Sequence, residues 1–361
     1  MNKSRDSERS FTMERTARAT VMVGQNFEVR EYPIPAPEPG TLLLKQELGG
    51  ICGTDLHNWE HQHIDYDIIL GHENVGIIDA LGEGVETDDL GNPVKVGDRV
   101  ALSPSGGYGF SQAEEQPYLK GGFAEYIYVS NPTTKMFIKT DLPPEIAVLA
   151  EPSACAAHCV SRAKIEFGDT VVIQGSGPIG LLALNWARVS GAGRLIVVGG
   201  PAGRLEMAER LGADLTINIH EVPDPEERKR IVRENSWGGD GADVVCECSG
   251  FLAAIPEGLD YIKYGGTYVE YGHFVDVGTF ECNPNQMLMR KNLRLEACWG
   301  FEPHHFLRAV PMLEKHASLF DGFVSHILPL EDVSRGFDAL HTTYHLDGRD
   351  TIKIAVKGAR N

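Results

Sequence analysis

The feature that most constrains the fold is a glycine-rich hexapeptide between a strand-like and a helix-like segment. Residues 175 to 180 read GSGPIG, after the β-branched run TVVIQ and at the start of the apolar segment PIGLLALNWARVSG. Glycines at the first, third and sixth positions allow a tight turn, close approach of a pyrophosphate, and close packing of helix on strand. The phosphates would face the positive N-terminal end of that helix. The hexapeptide therefore predicts a dinucleotide-binding βαβ unit, with cofactor-binding residues Gly175, Gly177, Pro178, Ile179 and Gly180.

The segments around the hexapeptide follow the same alternation. From about residue 165 to the strand-like LRLEACWG near residue 300, strand-like and helix-like runs alternate strictly. Successive βαβ units of this length build a doubly wound parallel sheet, so we predict an α/β fold of the Rossmann type. Residues 18 to 130 instead alternate short β-branched runs with Gly and Pro, which is typical of an irregular β-rich domain.

The length of the chain predicts two domains. Its 361 residues exceed what one hydrophobic core usually serves. Mixed elements return after residue 301, and we expect them to complete the β-rich domain. The predicted division is a flexible tail at 1–17, a β-rich domain of 18–153 and 302–361, and a dinucleotide-binding domain at 154–301.

Charge and cysteine content exclude several classes of partner. The formal net charge of −18 repels phosphate backbones and anionic lipids, so we expect no nucleic-acid and no membrane partner. No apolar run of 18 residues occurs and the N-terminus lacks the apolar core of a signal peptide, so we expect a cytoplasmic protein. Seven cysteines in such a chain favour free thiols, and a functional cysteine would be a ligand or a nucleophile.

The expected ribose site lacks its usual acid. About 20 residues after the glycines, the second strand of such a unit normally ends in an Asp or Glu that binds the adenosine ribose. Here the strand-like RLIVVGG ends in Gly199 and Gly200, so no carboxylate repels a 2′-phosphate. Arg204 either binds such a phosphate or faces solvent on the next helix. We therefore expect NAD or NADP as cofactor, with Gly199 and Arg204 at the ribose end.

A second group of residues has the chemistry of a metal site. Cys52 in GICGTDLH, His72 and Glu73 in GHE, and Glu151 and Cys155 in EPSAC supply thiols, an imidazole and carboxylates, which suit Zn²⁺. Taken singly, each has another interpretation. A lone cysteine is often a buried small apolar residue, a lone histidine a hydrogen-bonded core residue, and a lone acid the N-terminal charge of a helix.

In their order and spacing these motifs resemble the zinc-dependent medium-chain dehydrogenase/reductase superfamily, in its alcohol, polyol and threonine dehydrogenase branch. The resemblance implies a Rossmann domain plus a GroES-like catalytic domain, a small-molecule alcohol or ketone as substrate, and a homodimer or homotetramer. It extends over residues 18 to 357 and is carried by GICGTDLH, LGHENVG, VGDRVAL, GGFAEYIYV, AEPSACAAH, VVIQGSGPIGLLA and LPLEDVSRGFDAL.

The resemblance also implies a set of metal ligands. Its zinc ligands correspond to Cys52, His72 and Glu151, as in the polyol dehydrogenases, with Cys155 one helical turn further on as an alternative. Glu73 corresponds to a second carboxylate that binds the metal or stands behind it. Asp55 corresponds to a residue that orients His72 or a neighbouring ligand.

The proton path and the zinc count follow from the same resemblance. In zinc alcohol dehydrogenases, residues corresponding to Thr54 and His57 pass the substrate proton to solvent through the nicotinamide ribose. Residues 101 to 130 contain no cysteine, so we expect one catalytic zinc per subunit and no structural zinc lobe. By analogy with the family, aromatic residues next to the substrate would be Trp59, Tyr108, Phe110 and Trp299.

The expected activity is reversible, NAD(P)-linked oxidation of a secondary alcohol or polyol to the ketone. Two alternatives are a zinc-free quinone or enoyl reductase of the same superfamily and a non-catalytic binding or structural member. The zinc-free relatives lack the Cys and GHE ligands, which are present here. The sequence leaves the individual alcohol open, because the substrate pocket depends on side chains that converge from both domains.

Overall fold

The computed structural model describes residues 15–61, 64–104, 109–130 and 137–358. Residues 1–14 of the predicted tail and Tyr108 lie outside the described residues, and the first strand already begins at Thr16. The elements of the N-terminal part are β1 Thr16–Val23, β2 Asn26–Pro33, β3 Leu42–Gly50, α1 Gly53–His61, β4 Ile68–Ile69, β5 Glu73–Leu81, β6 Arg99–Leu102, β7 Ser111–Gln112, β8 Tyr126–Val129, β9 Phe137–Lys139, α2 Pro144–Ala147 and α3 Ala150–Ala163.

Strands and helices alternate in the middle of the chain, as the sequence predicts. They are β10 Thr170–Gln174, α4 Pro178–Val189, β11 Arg194–Gly199, α5 Ala202–Arg210, β12 Leu215–Asn218, α6 Pro225–Glu234, β13 Ala242–Glu247, α7 Ala254–Tyr261, β14 Ile262–Glu270, α8 Pro284–Met287 and β15 Arg294–Ala297. The C-terminal part adds α9 Pro303–Lys315, β16 Val324–Pro329, α10 Val333–Thr342, β17 His345–Leu346, β18 Arg349–Asp350 and β19 Lys353–Lys357.

The middle of the chain forms a six-stranded parallel sheet in the order β12-β11-β10-β13-β14-β15. Every residue of β10 is buried, which explains why this strand reads as a continuous apolar run rather than an alternating one. The strand order reverses between β10 and β13. The carboxyl ends of these two strands therefore border the crevice in which an open α/β sheet binds its ligand.

Both ends of the chain contribute to a second, mostly antiparallel sheet. Its seven strands run in the order β16-β19-β3-β5-β6-β9, with β8 also paired to β3. Strands of the N-terminal part form a separate four-stranded sheet, in the order β2-β1-β4-β7. On this basis we propose the two-domain division at residues 153/154 and 301/302 that the sequence indicates.

One of the clusters of buried residues spans the two sheets. Leu48 and Ala101 of the seven-stranded sheet belong to the same cluster of buried residues as Val171 and Ile173 of the parallel sheet. Helix α3 contributes Ala154 to this cluster and packs against α4 and α9. The side chains at the first turn of α3 are thus held at the junction of the two sheets.

The alternation of strands and helices is weakest just before β15. There α8 covers only four residues, and a short 3₁₀ turn follows it. Strand β12 brings the parallel sheet to six strands. Among the described residues, no helix is both long enough and apolar enough to cross a membrane.

Candidate active site

Strand pairing brings the predicted metal ligands together. Strands β3 and β5 are antiparallel, and Gly50 at the end of β3 pairs with Glu73 at the start of β5. Cys52 lies two residues beyond β3 and His72 one residue before β5, so both side chains lie at the same end of this strand pair. One potential ligand atom from each of Cys52, His72 and Glu73 lies within 4.8 Å of the other two.

Asp55 connects the loops that carry the thiol and the imidazole. Its side chain is buried in the first turn of α1. One carboxylate oxygen accepts a hydrogen bond from the backbone N–H of Cys52 at 2.9 Å, and the other from Gly71 N–H at 3.3 Å. His72 Nδ1 lies 3.7 Å from the same carboxylate. The structure therefore brings Asp55 next to His72, where the sequence expected it.

Lys353 is a residue of this site that sequence reasoning missed. It lies in β19, is 2% exposed, and forms an ion pair with the buried carboxylate of Glu73. Its Nζ also donates a hydrogen bond to the carbonyl of Ile51 at 2.9 Å. The signal was present in the sequence, because Lys353 stands in the apolar segment TIKIAVKG of a strand, where an unpaired charge would be costly.

Glu151 lies near Cys52, His72 and Glu73. Among the described residues, however, the group of ligand atoms that lie within 4.8 Å of one another does not include it. It is buried in the first turn of α3, and its carboxylate accepts a weak hydrogen bond from the thiol of Cys155 at 3.6 Å. Burial raises the pKa of Glu151 to about 7, with Glu73 adding to the rise and His72 opposing it. The structure thus groups Glu73 with Cys52 and His72 more tightly than Glu151.

The charges of the site fit a divalent cation. With Cys52 as thiolate, the three acidic groups Cys52, Glu73 and Glu151 carry three negative charges, and Lys353 offsets one of them. Burial raises the pKa of Cys52, and nearby Glu73 raises it further, so ionising all three groups requires a further cation. A thiolate, an imidazole and carboxylates are donors that Zn²⁺ accepts. The residues present therefore fit zinc.

The predicted proton-path residues lie on α1 beside the ligand group. The hydroxyl oxygen of Thr54 is 3.7 Å from the sulfur of Cys52. His57 follows one helical turn later, and its side chain is 26% exposed, so it reaches towards solvent. Its ring contacts the ring of Phe274 edge-on, with centroids 5.1 Å apart. Phe274 comes from the segment after β14, so this segment contacts α1 at His57.

The predicted substrate-contacting aromatics separate into two groups. The ring of Phe110 lies 4.9 Å from the ring of His72, and Trp299 lines a cavity of about 300 Å³ with Glu270, Tyr271, His273, Ala297 and Cys298. Trp59 instead packs against Phe337 and His341. Phe110 is therefore next to the ligand group, whereas Trp59 contributes to core packing.

The glycine loop has the geometry that dinucleotide binding requires. Gly175 has φ +97°, and a Cβ there would lie 2.8 Å from the backbone N of Ser249. A Cβ on Gly180 would lie 1.9 Å from the carbonyl oxygen of Gly175. A Cβ on Gly177 would meet nothing within 4 Å, so packing does not explain this glycine. Pro178 and Ile179, both half-buried, are the first residues of α4, so the N-terminus of α4 lies beside the free space at Gly177. The loop therefore fits a pyrophosphate.

The ribose end explains why the usual acid is missing. A Cβ on Gly199, the last residue of β11, would lie 2.5 Å from the hydroxyl and 2.8 Å from the backbone N of Ser176.

The side chain of Arg204 is buried, so the alternative that it faces solvent is wrong. Its side chain lies 4.4 Å from the ring of Tyr344, and its Nε donates to the carbonyl of Thr351 at 2.7 Å.

Asp350 is a second residue that sequence reasoning missed. It lies in β18, and its carboxylate accepts a hydrogen bond from the backbone N–H of Gly203 at 2.9 Å. Gly203 is in the first turn of α5, the helix that follows the strand ending in Gly199. A carboxylate from the C-terminal part of the chain thus lies at the N-terminus of the helix next to the expected ribose site.

Comparison with known families and proteins agrees with this geometry. Residues 38–140 match the alcohol dehydrogenase GroES-like domain, and residues 178–315 match the zinc-binding dehydrogenase domain. Erythritol/L-threitol dehydrogenase of Mycolicibacterium smegmatis is 30% identical over 92% of this chain and 94% of its own length. The chain belongs to the zinc-dependent medium-chain dehydrogenase superfamily.

A further relative and two solved structures support this membership. The 5-exo-hydroxycamphor dehydrogenase of Pseudomonas putida is 37% identical over 82% of this chain and 87% of its own. An alcohol dehydrogenase structure from Thermotoga maritima is 26% identical, with a TM-score of 0.86, and covers 95% of this chain and 100% of its own. A zinc-binding dehydrogenase from Sinorhizobium meliloti bound to NADP is 26% identical, with a TM-score of 0.79 and the same coverage.

Membership settles the class of the protein. This medium-chain dehydrogenase is an oxidoreductase that acts on CH–OH donors, with zinc and NAD(P) as cofactors. The predicted Rossmann and GroES-like fold is confirmed. The comparisons support neither the zinc-free reductase nor the non-catalytic alternative.

Proposed function

We propose that this dehydrogenase oxidises a cyclic secondary alcohol to the ketone at a zinc site formed by Cys52, His72 and Glu73. Glu151 is a further carboxylate of that site and balances part of the charge of the metal. The observation that carries this proposal is the group of three ligand atoms within 4.8 Å at the end of the β3–β5 strand pair. Glu73 thus takes the place among the three ligands that the sequence assigned to Glu151.

The residues around the site have separate tasks in this reaction. Bound zinc would supply Lewis-acid activation of the alcohol oxygen, and bound NAD(P)⁺ would accept the hydride. Thr54 relays the hydroxyl proton, because it gives up its own proton as it accepts that of the substrate, and His57 takes up the released proton and passes it towards solvent. Asp55 holds His72 in position, and Lys353 forms an ion pair with Glu73 and offsets its charge in the buried site.

The aromatic residues favour a bulky apolar substrate over a linear polyol. Phe110 packs against the ring of His72, and Trp299 and Tyr271 line a cavity that Glu270 and His273 also line. Relatives of the chain include both a hydroxycamphor dehydrogenase and polyol dehydrogenases. An apolar surface beside the metal gains more from burying a hydrocarbon ring than from desolvating several hydroxyl groups.

A substrate panel with a metal-ligand variant tests the proposal. We expect the zinc-loaded enzyme to form NAD(P)H with bicyclic and monocyclic secondary alcohols at a higher kcat/KM than with erythritol or sorbitol. Cys52→Ser should lower turnover by at least about a thousandfold, which is about 4 kcal/mol of transition-state stabilisation. It should leave NAD(P)H binding, measured by fluorescence titration, unchanged. Oxidation of polyols alone would overturn the substrate assignment, and full activity of Cys52→Ser the metal site.

We infer further that the enzyme is a cytoplasmic homodimer or homotetramer without nucleic-acid or membrane partners. The net charge of −18 supports the last point. Strand β15 lies at an edge of the parallel sheet, and the exposed Leu295 and Trp299 on and next to it favour association with a second copy. Light scattering on the purified protein tests the state of assembly, and a monomer at micromolar concentration would contradict it.

A further inference from the structure

A second group of potential metal ligands lies on the outer face of α1. One ligand atom from each of His57, Glu60 and His61 lies within 4.8 Å of the other two. Nδ1 of His57 is 3.7 Å from Oε2 of Glu60, and Nε2 of His61 is 3.9 Å from the same oxygen. We call these three residues the α1 cluster.

Helical spacing accounts for the α1 cluster. Positions 57, 60 and 61 are related as i, i+3 and i+4 and therefore share one face of α1. The rings of His57 and His61 are nearly parallel at 15°, with centroids 5.7 Å apart. A tetrahedral zinc with bonds of about 2.0 to 2.1 Å holds its ligand atoms about 3.3 Å apart. To close on an ion, the ligand atoms therefore need to approach one another by at most about 1.5 Å.

A fourth residue holds the carboxylate of the cluster from a different helix. Nδ1 of His341 in α10 lies 2.7 Å from Oε1 of Glu60, the oxygen that does not face His57 and His61. Such a partner fixes the orientation of a ligating carboxylate. The ring of His341 is itself held by an edge-on contact with Trp59 at 5.5 Å. Glu60 is thus oriented before any ion binds.

An ion can enter the cluster from the side of His61. Side-chain exposure is 50% for His61 but 26% for His57 and 21% for Glu60, and Nδ1 of His57 is buried. Imidazole and carboxylate are suitable donors for Zn²⁺ and Ni²⁺, whereas Mg²⁺ prefers oxygen ligands and keeps its waters. The strongly negative chain also raises the local concentration of cations.

We propose that His57, Glu60 and His61 bind a second, exchangeable transition-metal ion such as Zn²⁺, oriented by His341, and that this ion inhibits the enzyme. The inhibition rests on the proposed function of His57 as proton acceptor. A neutral imidazole has one basic nitrogen, and a ring bound to a metal through that nitrogen cannot take up a proton. Excess zinc would therefore close the proton path without displacing the catalytic ion.

Metal binding is measured first, on enzyme that already holds its catalytic zinc and without substrate. Calorimetric titration with Zn²⁺ or Ni²⁺ should reveal one further ion with a dissociation constant on the order of micromolar. His61→Ala should weaken this binding at least about a hundredfold, and His341→Ala about tenfold. His345→Ala removes an exposed imidazole elsewhere and should bind as the wild type, and Mg²⁺ should not bind. Absence of a second ion, or unchanged binding by His61→Ala, would overturn the site.

Inhibition is measured separately, with each variant compared with its own rate before zinc is added. Turnover by the wild type should fall as the second site fills, and the midpoint should shift in His61→Ala and His341→Ala by the same factors as binding. Binding without inhibition would overturn the link to His57 and leave the metal site standing. Because the titration needs no substrate, failure of the proposed alcohol oxidation would not alter its result.

Discussion

At the scale of single residues, the active site depends on a buried ion pair that crosses from one end of the chain to the other. Glu73 is 1% and Lys353 2% exposed, so neither charge is hydrated by bulk water. Each stabilises the other, and removal of one leaves an uncompensated charge in a buried site. The position of Glu73 in the GHE motif was recognisable in the sequence, whereas its pairing with a residue 280 positions away was not.

Lys353→Met should destabilise the metal-free enzyme by about 3 to 5 kcal/mol, because it leaves the carboxylate of Glu73 buried and unpaired. Denaturant unfolding after chelation measures the free energy of unfolding. Adding Glu73→Gln to Lys353→Met should recover part of the loss, so that the double variant is more stable than the sum of the single effects predicts. Lys357→Met on the same strand is the control. Additive effects would show that the two side chains do not interact energetically.

At the scale of elements, the turn between β10 and α4 separates glycines needed for folding from one kept for a ligand. Gly175 and Gly180 have no room for a Cβ, as their contacts at 2.8 and 1.9 Å show. Gly177 has room and φ −70°, so an alanine would fit there without strain. The motif predicted the whole turn, but only the tertiary structure distinguishes the two uses of glycine.

Gly177→Ala should therefore keep the stability of the wild type while weakening NAD(P)H binding about tenfold or more, equivalent to about 1.4 kcal/mol. The reason is that the added methyl group occupies the space that a pyrophosphate needs. Gly180→Ala is the matched comparison and should lower the melting temperature, because its methyl group meets backbone. Fluorescence titration and thermal unfolding measure the two effects. Wild-type affinity in Gly177→Ala would place the pyrophosphate elsewhere.

The start of α9 is an element whose stability depends on pH. His305 accepts a hydrogen bond from the backbone N–H of Glu302 through Nδ1, in a reciprocal capping box. Its ring stacks on His158 at 4.7 Å and lies 3.9 Å from the ring of His304. Burial, together with the neighbouring His304 and His158, lowers the pKa of His305 to about 4. The fold therefore holds this imidazole in its neutral form.

The enzyme should lose stability as the pH falls from about 6.5 to about 4. In this range the unfolded chain binds a proton at His305 that the folded state excludes, so unfolding is favoured. At about 1.4 kcal/mol for each pH unit, the loss is at most about 3 kcal/mol, and solvent screening reduces it. His305→Gln keeps the capping hydrogen bond without titrating and should flatten the profile of unfolding free energy, whereas His345→Gln should not. An equal acid loss in His305→Gln would assign the effect to other groups.

At the scale of the whole molecule, the C-terminal hairpin reaches helix α5, which follows strand β11 of the parallel sheet. Asp350 in β18 lies against the backbone of Gly203 at the start of α5, and His345 lies 3.3 Å from the same carboxylate. From the sequence alone, the absence of an acid at Gly199 indicates that NADP is tolerated. The structure supplies a carboxylate from a distant part of the chain, and this carboxylate would repel a 2′-phosphate dianion at the first turn of α5.

Asp350→Ala should raise kcat/KM with NADP relative to NAD about five- to tenfold, the effect of removing about 1 kcal/mol of repulsion near the surface. Comparing kcat/KM for the two cofactors measures this ratio. Asp347→Ala, an acid in the turn of the same hairpin, should leave the ratio unchanged. Gly199→Asp is unsuitable for this purpose, because its side chain would collide with Ser176. An unchanged ratio in Asp350→Ala would show that the 2′-position lies outside the reach of Asp350.

The sequence by itself determined the features that depend on local order along the chain. The alternation of strands and helices, the GSGPIG turn and the ligand motifs around Cys52 and His72 were all recognisable, because each is a short pattern whose chemistry is confined to neighbouring residues. Only the tertiary structure decided the rest: that Lys353 pairs with Glu73, that Asp350 reaches α5, that Arg204 is buried, and that Glu73 lies closer than Glu151 to the other ligands. These depend on contacts between residues far apart in the chain. Such contacts are set by the pairing of distant strands within a sheet and by the packing of distant elements against each other, and neither leaves a local pattern in the sequence.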